Sequence, residues 1–150
     1  WIAASLVVIA FAAWLTKRLC EEHLLVDAQM VTALTLLLIS PVSWSHHWVW
    51  LTLIIPVFVF RARTWLPSGW AAGSLLTVLI AWAAMLLTVP PKWWWGDQVD
   101  VHAMERYQKF WVDDFVWLTI LTVALFAAAF YTSQRNSRNA NTATPAPLAS

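Results

Sequence analysis

Charge is scarce in this chain. Acidic and basic residues together make up 11% of its 150 residues, against about 25% in ordinary soluble domains. The formal net charge is +1, and no basic patch interleaves with aromatic residues, so nucleic acid is not expected as a partner. Cysteine is nearly absent. Cys20 stands alone, which excludes an intrachain disulfide and leaves the redox compartment unread. It reads most simply as a small apolar residue at a helix end. The marks of a secretory leader, a charged start and a small-residue cleavage site, are missing as well. The sequence opens at Trp1 inside an apolar run. It is therefore expected to be the C-terminal part of a longer membrane protein, entered partway along a helix.

What is present is apolar surface. Hydrophobic residues make up 61% of the chain, more than a soluble fold of this length can bury. Five apolar stretches, 1–16, 24–40, 44–60, 70–89 and 115–131, approach the roughly 17–25 residues needed to cross hydrocarbon. The expected fold is all-α, a polytopic transmembrane bundle of about five helices. Residues 1–131 form the membrane region, with an outer loop at 90–114. Residues 132–150, rich in Asn, Ser, Thr, Ala and Pro, are expected to form a disordered tail.

Orientation follows from the cations. Lys17 and Arg18 follow the first stretch, Arg61 and Arg63 the third, Arg135 and Arg138 the fifth. Odd-numbered spans end on one side, so these six share a face, and the positive-inside rule makes it cytoplasmic. A multi-pass plasma-membrane protein is expected, with a cytoplasmic tail and with the 41–47 turn and 90–114 loop outside. The acids Asp97, Asp100, Glu105, Asp113 and Asp114 gather in that outer loop. Tryptophan leans outward too: Trp44, Trp48, Trp50, Trp93, Trp94, Trp95, Trp111 and Trp117, against Trp14, Trp65 and Trp70 on the inner side. An interfacial belt would decorate both faces. The asymmetry points to chemistry at the outer edge.

The most informative stretch runs from Ser40 to Trp50 and contains Trp44-Ser45-His46-His47-Trp48. Pro41 disfavours helix at Ser40, and Ser43 or Ser45 can cap the third helix. Two imidazoles then fall in a helix's first turn, where the dipole and free N–H groups favour an anion. The plainer reading makes His46 and His47 ordinary interfacial polar residues. A metal site is disfavoured, because no Cys, Asp or Glu lies three or four residues on to complete a cluster.

The second feature is Lys92-Trp93-Trp94-Trp95. Three consecutive indoles cannot all be buried by one helix face. They either anchor the loop among headgroups or offer flat faces to a lipid chain or sugar ring, with Lys92 near an anionic headgroup. Val101, Met104, Tyr107 and Trp111 recur at helical spacing, as in a short amphipathic helix on the outer surface. Asp97 and Asp100 read as solvated loop residues before acid–base groups. Asp27 and Gln29 lie near the inner start of the second stretch. An ionisable group in a membrane helix is a functional suspect, but at that depth Asp27 can reach the interface or the helix dipole.

The run Leu37-Leu-Ile-Ser-Pro-Val-Ser-Trp-Ser-His-His-Trp-Val-Trp50 resembles a motif of glycosyltransferase family 87, actinobacterial α-mannosyltransferases that use polyprenol-phosphate-mannose as donor. The resemblance covers about fifteen residues in motif and most of the chain in layout. It implies the GT-C membrane fold, an extracytoplasmic active site and mannose transfer to a glycolipid or lipoglycan hydroxyl. No cofactor or metal is implied. The family's general base is typically an aspartate in an early outer loop, so no catalytic residue is carried onto this sequence, and residues 1–150 alone are expected to be inactive. What the resemblance implies here is donor-phosphate binding by His46, His47 and Ser45. Trp44, Trp48, Lys92, Trp93, Trp94 and Trp95 follow as donor or acceptor contacts. The alternative is a non-enzymatic membrane protein, a transporter subunit or lipid-handling scaffold. Transporters place polar sites near the bilayer midplane, whereas the later stretches here are apolar at their centres.

Overall fold

In hydrocarbon a backbone N–H or C=O has no water to bond, so an apolar run must satisfy its own amides and does so as helix. The computed structural model describes residues 2–39, 49–88, 105 and 114–143. It contains α1 (Ile2–Glu21), α2 (Leu25–Ile39), α3 (Leu51–Trp65), α4 (Trp70–Thr88) and α5 (Asp114–Ala143), with a 3-10 turn at Leu66–Ser68. No strand occurs among the described residues. Each helix overlaps one of the five apolar stretches, with α1 and α3 running five residues past theirs to Glu21 and Trp65, and the all-α bundle is as expected. Three are long and apolar enough to cross a membrane: Ile2–Glu21, Trp70–Leu87 and Val116–Thr142. The other two, α2 and α3, have 15 residues each. They flank residues 40–48, which lie outside the described set.

The expectation of a disordered tail from residue 132 needs correction up to residue 143. Helix α5 continues without a break to Ala143. Asn and Ser are weak helix formers, but Asn136 Nδ2 donates to the Ser68 carbonyl at 3.0 Å. That bond joins the extension to the α3–α4 corner, and tertiary contact overrides local propensity. Residues 144–150 lie outside the described residues.

The corners are built from recognisable turn chemistry. Helix α1 ends in a Schellman motif: Leu24 N–H donates to the Leu19 carbonyl at 2.8 Å and His23 N–H to the Cys20 carbonyl at 3.0 Å. His23 takes the left-handed conformation, φ 59°, that this motif requires of its C′ residue. The α3–α4 corner uses Pro67 at the start of the 3-10 turn and Gly69 at φ 135°, a conformation L side chains rarely adopt.

Leu15, Leu19, Val31, Leu34, Ile54, Phe58, Leu75, Leu79, Trp82 and Phe126 are almost wholly buried in one core. Phe58 stacks on Phe126 at 4.3 Å, and Trp65 meets both Phe126 and Phe130. Threonine hydroxyls inside the helices bond to carbonyls one turn back, as Thr35 does to Val31 and Thr122 to Leu118. This satisfies them without water. Large apolar side chains such as Leu25, Phe60 and Leu87 lie more than half exposed, which suits a surface facing lipid.

Candidate functional site at the α2–α3 connection

Ser45, His46 and His47, with Trp44 and Trp48, belong to the segment between α2 and α3 and lie outside the described residues, as do Lys92, Trp93, Trp94 and Trp95. The serines expected to cap the third helix also lie outside them. The structure describes the frame on either side. Helix α2 ends at Ile39. Val49 and Trp50 form a 3-10 turn that leads into α3 at Leu51. There Thr52 Oγ1 donates to the Val49 carbonyl at 2.7 Å. Leu51 and Ile54 point into the core at 1% exposure each, while Trp50 is about half exposed. The entry to α3 is thus seated on its leucine and isoleucine, with an indole left at the surface beside the histidine motif.

At the other ends of the same two helices sits a feature that sequence reading did not pair. Asp27, third residue of α2, is 1% exposed, and Arg61 of α3 clamps it with two bonds: Nε to Oδ1 at 3.0 Å and Nη2 to Oδ2 at 2.6 Å. The guanidinium also lies 5.6 Å from the Trp65 ring. Asp27 lies in the first turn of α2, where the helix dipole favours it, and its charge is also neutralised by a partner 34 residues away. A buried carboxylate in lipid requires such a partner. The signal was available: an Asp in one span and an Arg at matching depth in the next. From Asp27 to Ile39 is 12 helical steps, or roughly 18 Å at 1.5 Å each. The ion pair therefore fixes α2 to α3 near the end of α2 opposite to the one that leads into residues 40–48.

Between those ends runs an apolar groove of about 730 Å³, lined along α2 by Leu25, Gln29, Ala33 and Leu36, closed by Cys20 at one end and Trp50 at the other. Cys20 is a free thiol exposed at that wall. Asp97, Asp100 and Asp113 lie outside the described residues. Glu105 is exposed. Among the described residues no three His, Cys, Asp or Glu side chains converge as metal ligands.

Three of the six cations expected on one face lie together. Arg18 of α1 shares a cavity wall with Arg135 and Arg138 of α5, and Asn136 bonds to the turn that follows α3.

Comparison with known proteins adds what this geometry leaves open. A polyprenol-phosphate-mannose-dependent α-(1-2)-phosphatidylinositol mannoside mannosyltransferase of Mycobacterium tuberculosis is 31% identical over 157 aligned residues, covering all of this chain and 34% of the relative. The Mycolicibacterium smegmatis protein of the same name is 36% identical over 89 residues, 52% of this chain and 20% of the relative. An M. tuberculosis phosphatidylinositol pentamannoside mannosyltransferase is 34% identical over 86 residues, 57% of this chain and 17% of the relative. This chain is homologous to polyprenol-phosphate-mannose-dependent mannosyltransferases. The family resemblance read from the Ser40–Trp50 motif is borne out by their names. The chain spans about a third of the length of the mannosyltransferase it matches from end to end. No family model matches the chain, and no solved structure matches it.

Proposed function

We propose that the protein moves mannose from polyprenol-phosphate-mannose to a phosphatidylinositol mannoside or related glycolipid acceptor at the extracytoplasmic face of the plasma membrane. The observation that carries this reading is similarity along the whole chain to an enzyme named for that donor and acceptor. In the reaction an acceptor hydroxyl attacks the anomeric carbon, the bond from that carbon to the phosphate oxygen breaks, and polyprenyl phosphate leaves. A base removes the hydroxyl proton; no residue of this chain is assigned to it.

Negative charge grows on the departing phosphate as the bond breaks. Donors already aimed there stabilise the transition state more than the ground state. His46 and His47 supply such imidazole N–H groups, with the Ser45 hydroxyl beside them, and a protonated imidazole strengthens the bond. The groove along α2 supports the same reading: it is apolar, lined from Leu25 to Leu37, and reaches Trp50, the last residue of the motif. A polyprenyl chain lying there directs its phosphate end toward the α2–α3 connection, whose sequence carries His46 and His47. Trp44, Trp48 and the Lys92–Trp95 run offer further contacts to donor or acceptor. The six-cation face is then cytoplasmic.

The test uses the full-length protein in membranes supplied with radiolabelled polyprenol-phosphate-mannose. His46→Ala or His47→Ala should reduce transfer by about two to three orders of magnitude, the loss typical when one oxyanion donor is removed. Full activity in both variants at equal expression returns the histidines to interfacial residues. Absence of transfer by the unaltered protein would sink the mannosyltransferase reading.

A further inference from the structure

Helix α5 does not stop where its apolar run stops. Beyond Phe130 it presents Tyr131, Gln134, Arg135, Arg138 and Asn139 at intervals of three and four residues, and so along one face. That face, with Arg18 and Glu21 from the last turn of α1 and Glu22 just after it, lines a cavity of about 330 Å³. Just beneath it Trp14 stacks on Tyr131, rings 5.3 Å apart and 17° from parallel. An aromatic pair flanked by cations is the usual marker of the headgroup level.

The charges in the cavity are not balanced among themselves. Glu21 is already engaged, by Arg18 at 3.0 Å and Lys17 at 3.9 Å. Glu22 is the remaining acid. Arg135 and Arg138 form no ion pair with any described residue. Two guanidinium groups one turn apart, beside a third and a phenol, suit a phosphodiester, because the planar fork bonds two phosphate oxygens at once. A row of solvated surface arginines would not need the wall that α1 supplies. A polar helix extension of this composition also has little apolar surface of its own to hold it folded.

We infer that this cavity binds the phosphate of an anionic phospholipid in the leaflet at the six-cation end. Basic pockets between membrane helices hold such headgroups by charge and bidentate bonding. The site is built from α1 and α5 and does not rest on the proposed transfer reaction.

The experiment is native mass spectrometry of the full-length protein released from mixed micelles, counting retained phosphatidylglycerol against phosphatidylcholine. The unaltered protein should retain phosphatidylglycerol selectively. Arg135→Ala and Arg138→Ala should each weaken retention about fivefold, the worth of one cation near an anionic surface. Glu22→Gln should strengthen it, a gain of function that a misfolded variant cannot mimic. Equal retention of the two lipids by the unaltered protein overturns the inference, and so does weaker retention in Glu22→Gln. Release of the lipid by millimolar inorganic phosphate assigns the cavity to a free anion and overturns the lipid reading.

Discussion

Helices α4 and α5 are joined along most of their length, whereas α2 and α3 touch far less. The two pairs show different ways of holding helices together in lipid. In α4 and α5 the buried residues include Ala71, Ala72, Ala127 and Ala129, and small side chains let backbones approach closely. Trp82 of α4 adds a buried bond, its Nε1 donating to Thr122 Oγ1 at 2.9 Å. In α2 and α3 a smaller packed contact is supplemented by charge at one end. Helix α3 carries Pro56 in its middle, which removes an N–H and weakens the helix there. Close packing fixes a pair along its whole length; an ion pair fixes one point. The pair that depends on such a point is the pair whose other ends flank the histidine motif.

The largest effect should come from breaking that point. Removing one partner of a buried ion pair leaves an uncompensated charge and costs about 3–5 kcal/mol. Arg61→Met should therefore lower the thermal midpoint of the detergent-solubilised full-length protein sharply. The double variant Asp27→Leu with Arg61→Met should recover most of it, because two apolar groups need no mutual charge. An unchanged midpoint in Arg61→Met would show that contacts other than charge hold α2 to α3. A double variant that stays as unstable as the single one would show that the pair specifies geometry apolar side chains cannot supply.

The α4–α5 pair should respond less. Thr122→Val leaves the Trp82 N–H buried without its acceptor, and polar contacts between membrane helices average about 0.6 kcal/mol with a maximum near 1.7. Trp82→Phe removes the donor as well as bulk from a fully buried site, so its cost includes lost packing. If Thr122→Val costs as much as Arg61→Met, a single polar contact governs both pairs and the contrast between them fails.

Much of this arrangement was legible in the residues. Long apolar runs punctuated by Pro41 and by Pro67 with Gly69 leave helix as the only way to satisfy the backbone in lipid. Two things were not legible. Asp27 and Arg61 each had an adequate local reading, as an interfacial acid and as one of six cations. Pairing them needs the depth and rotation of two helices, which no spacing rule within one helix supplies. The extension of α5 was hidden by composition, since Asn, Ser and Arg at 133–139 resemble a solvated tail; the partners that hold it, Ser68 and the last turns of α1, are remote in sequence. The candidate site stands the other way round. His46, His47 and the Trp93–Trp95 run are conspicuous as sequence and lie outside the described residues, so their roles rest on motif and chemistry.

The smallest effect concerns the third way this bundle joins helices, a turn short enough to dictate the pairing. Helices α1 and α2 are separated by Glu22, His23 and Leu24 only. His23 closes the Schellman motif in a left-handed conformation that costs an L residue roughly 1–2 kcal/mol. His23→Gly removes that steric cost and should raise the thermal midpoint, although greater freedom of glycine in the unfolded chain takes back about 0.5–1 kcal/mol. His23→Val should lower it, because a β-branched side chain tolerates positive φ poorly. Opposite shifts in the two variants would place the strain in the backbone at residue 23. A fall in both would instead make the imidazole itself the stabilising group, and the turn would then owe its shape to a side chain rather than to its two backbone bonds.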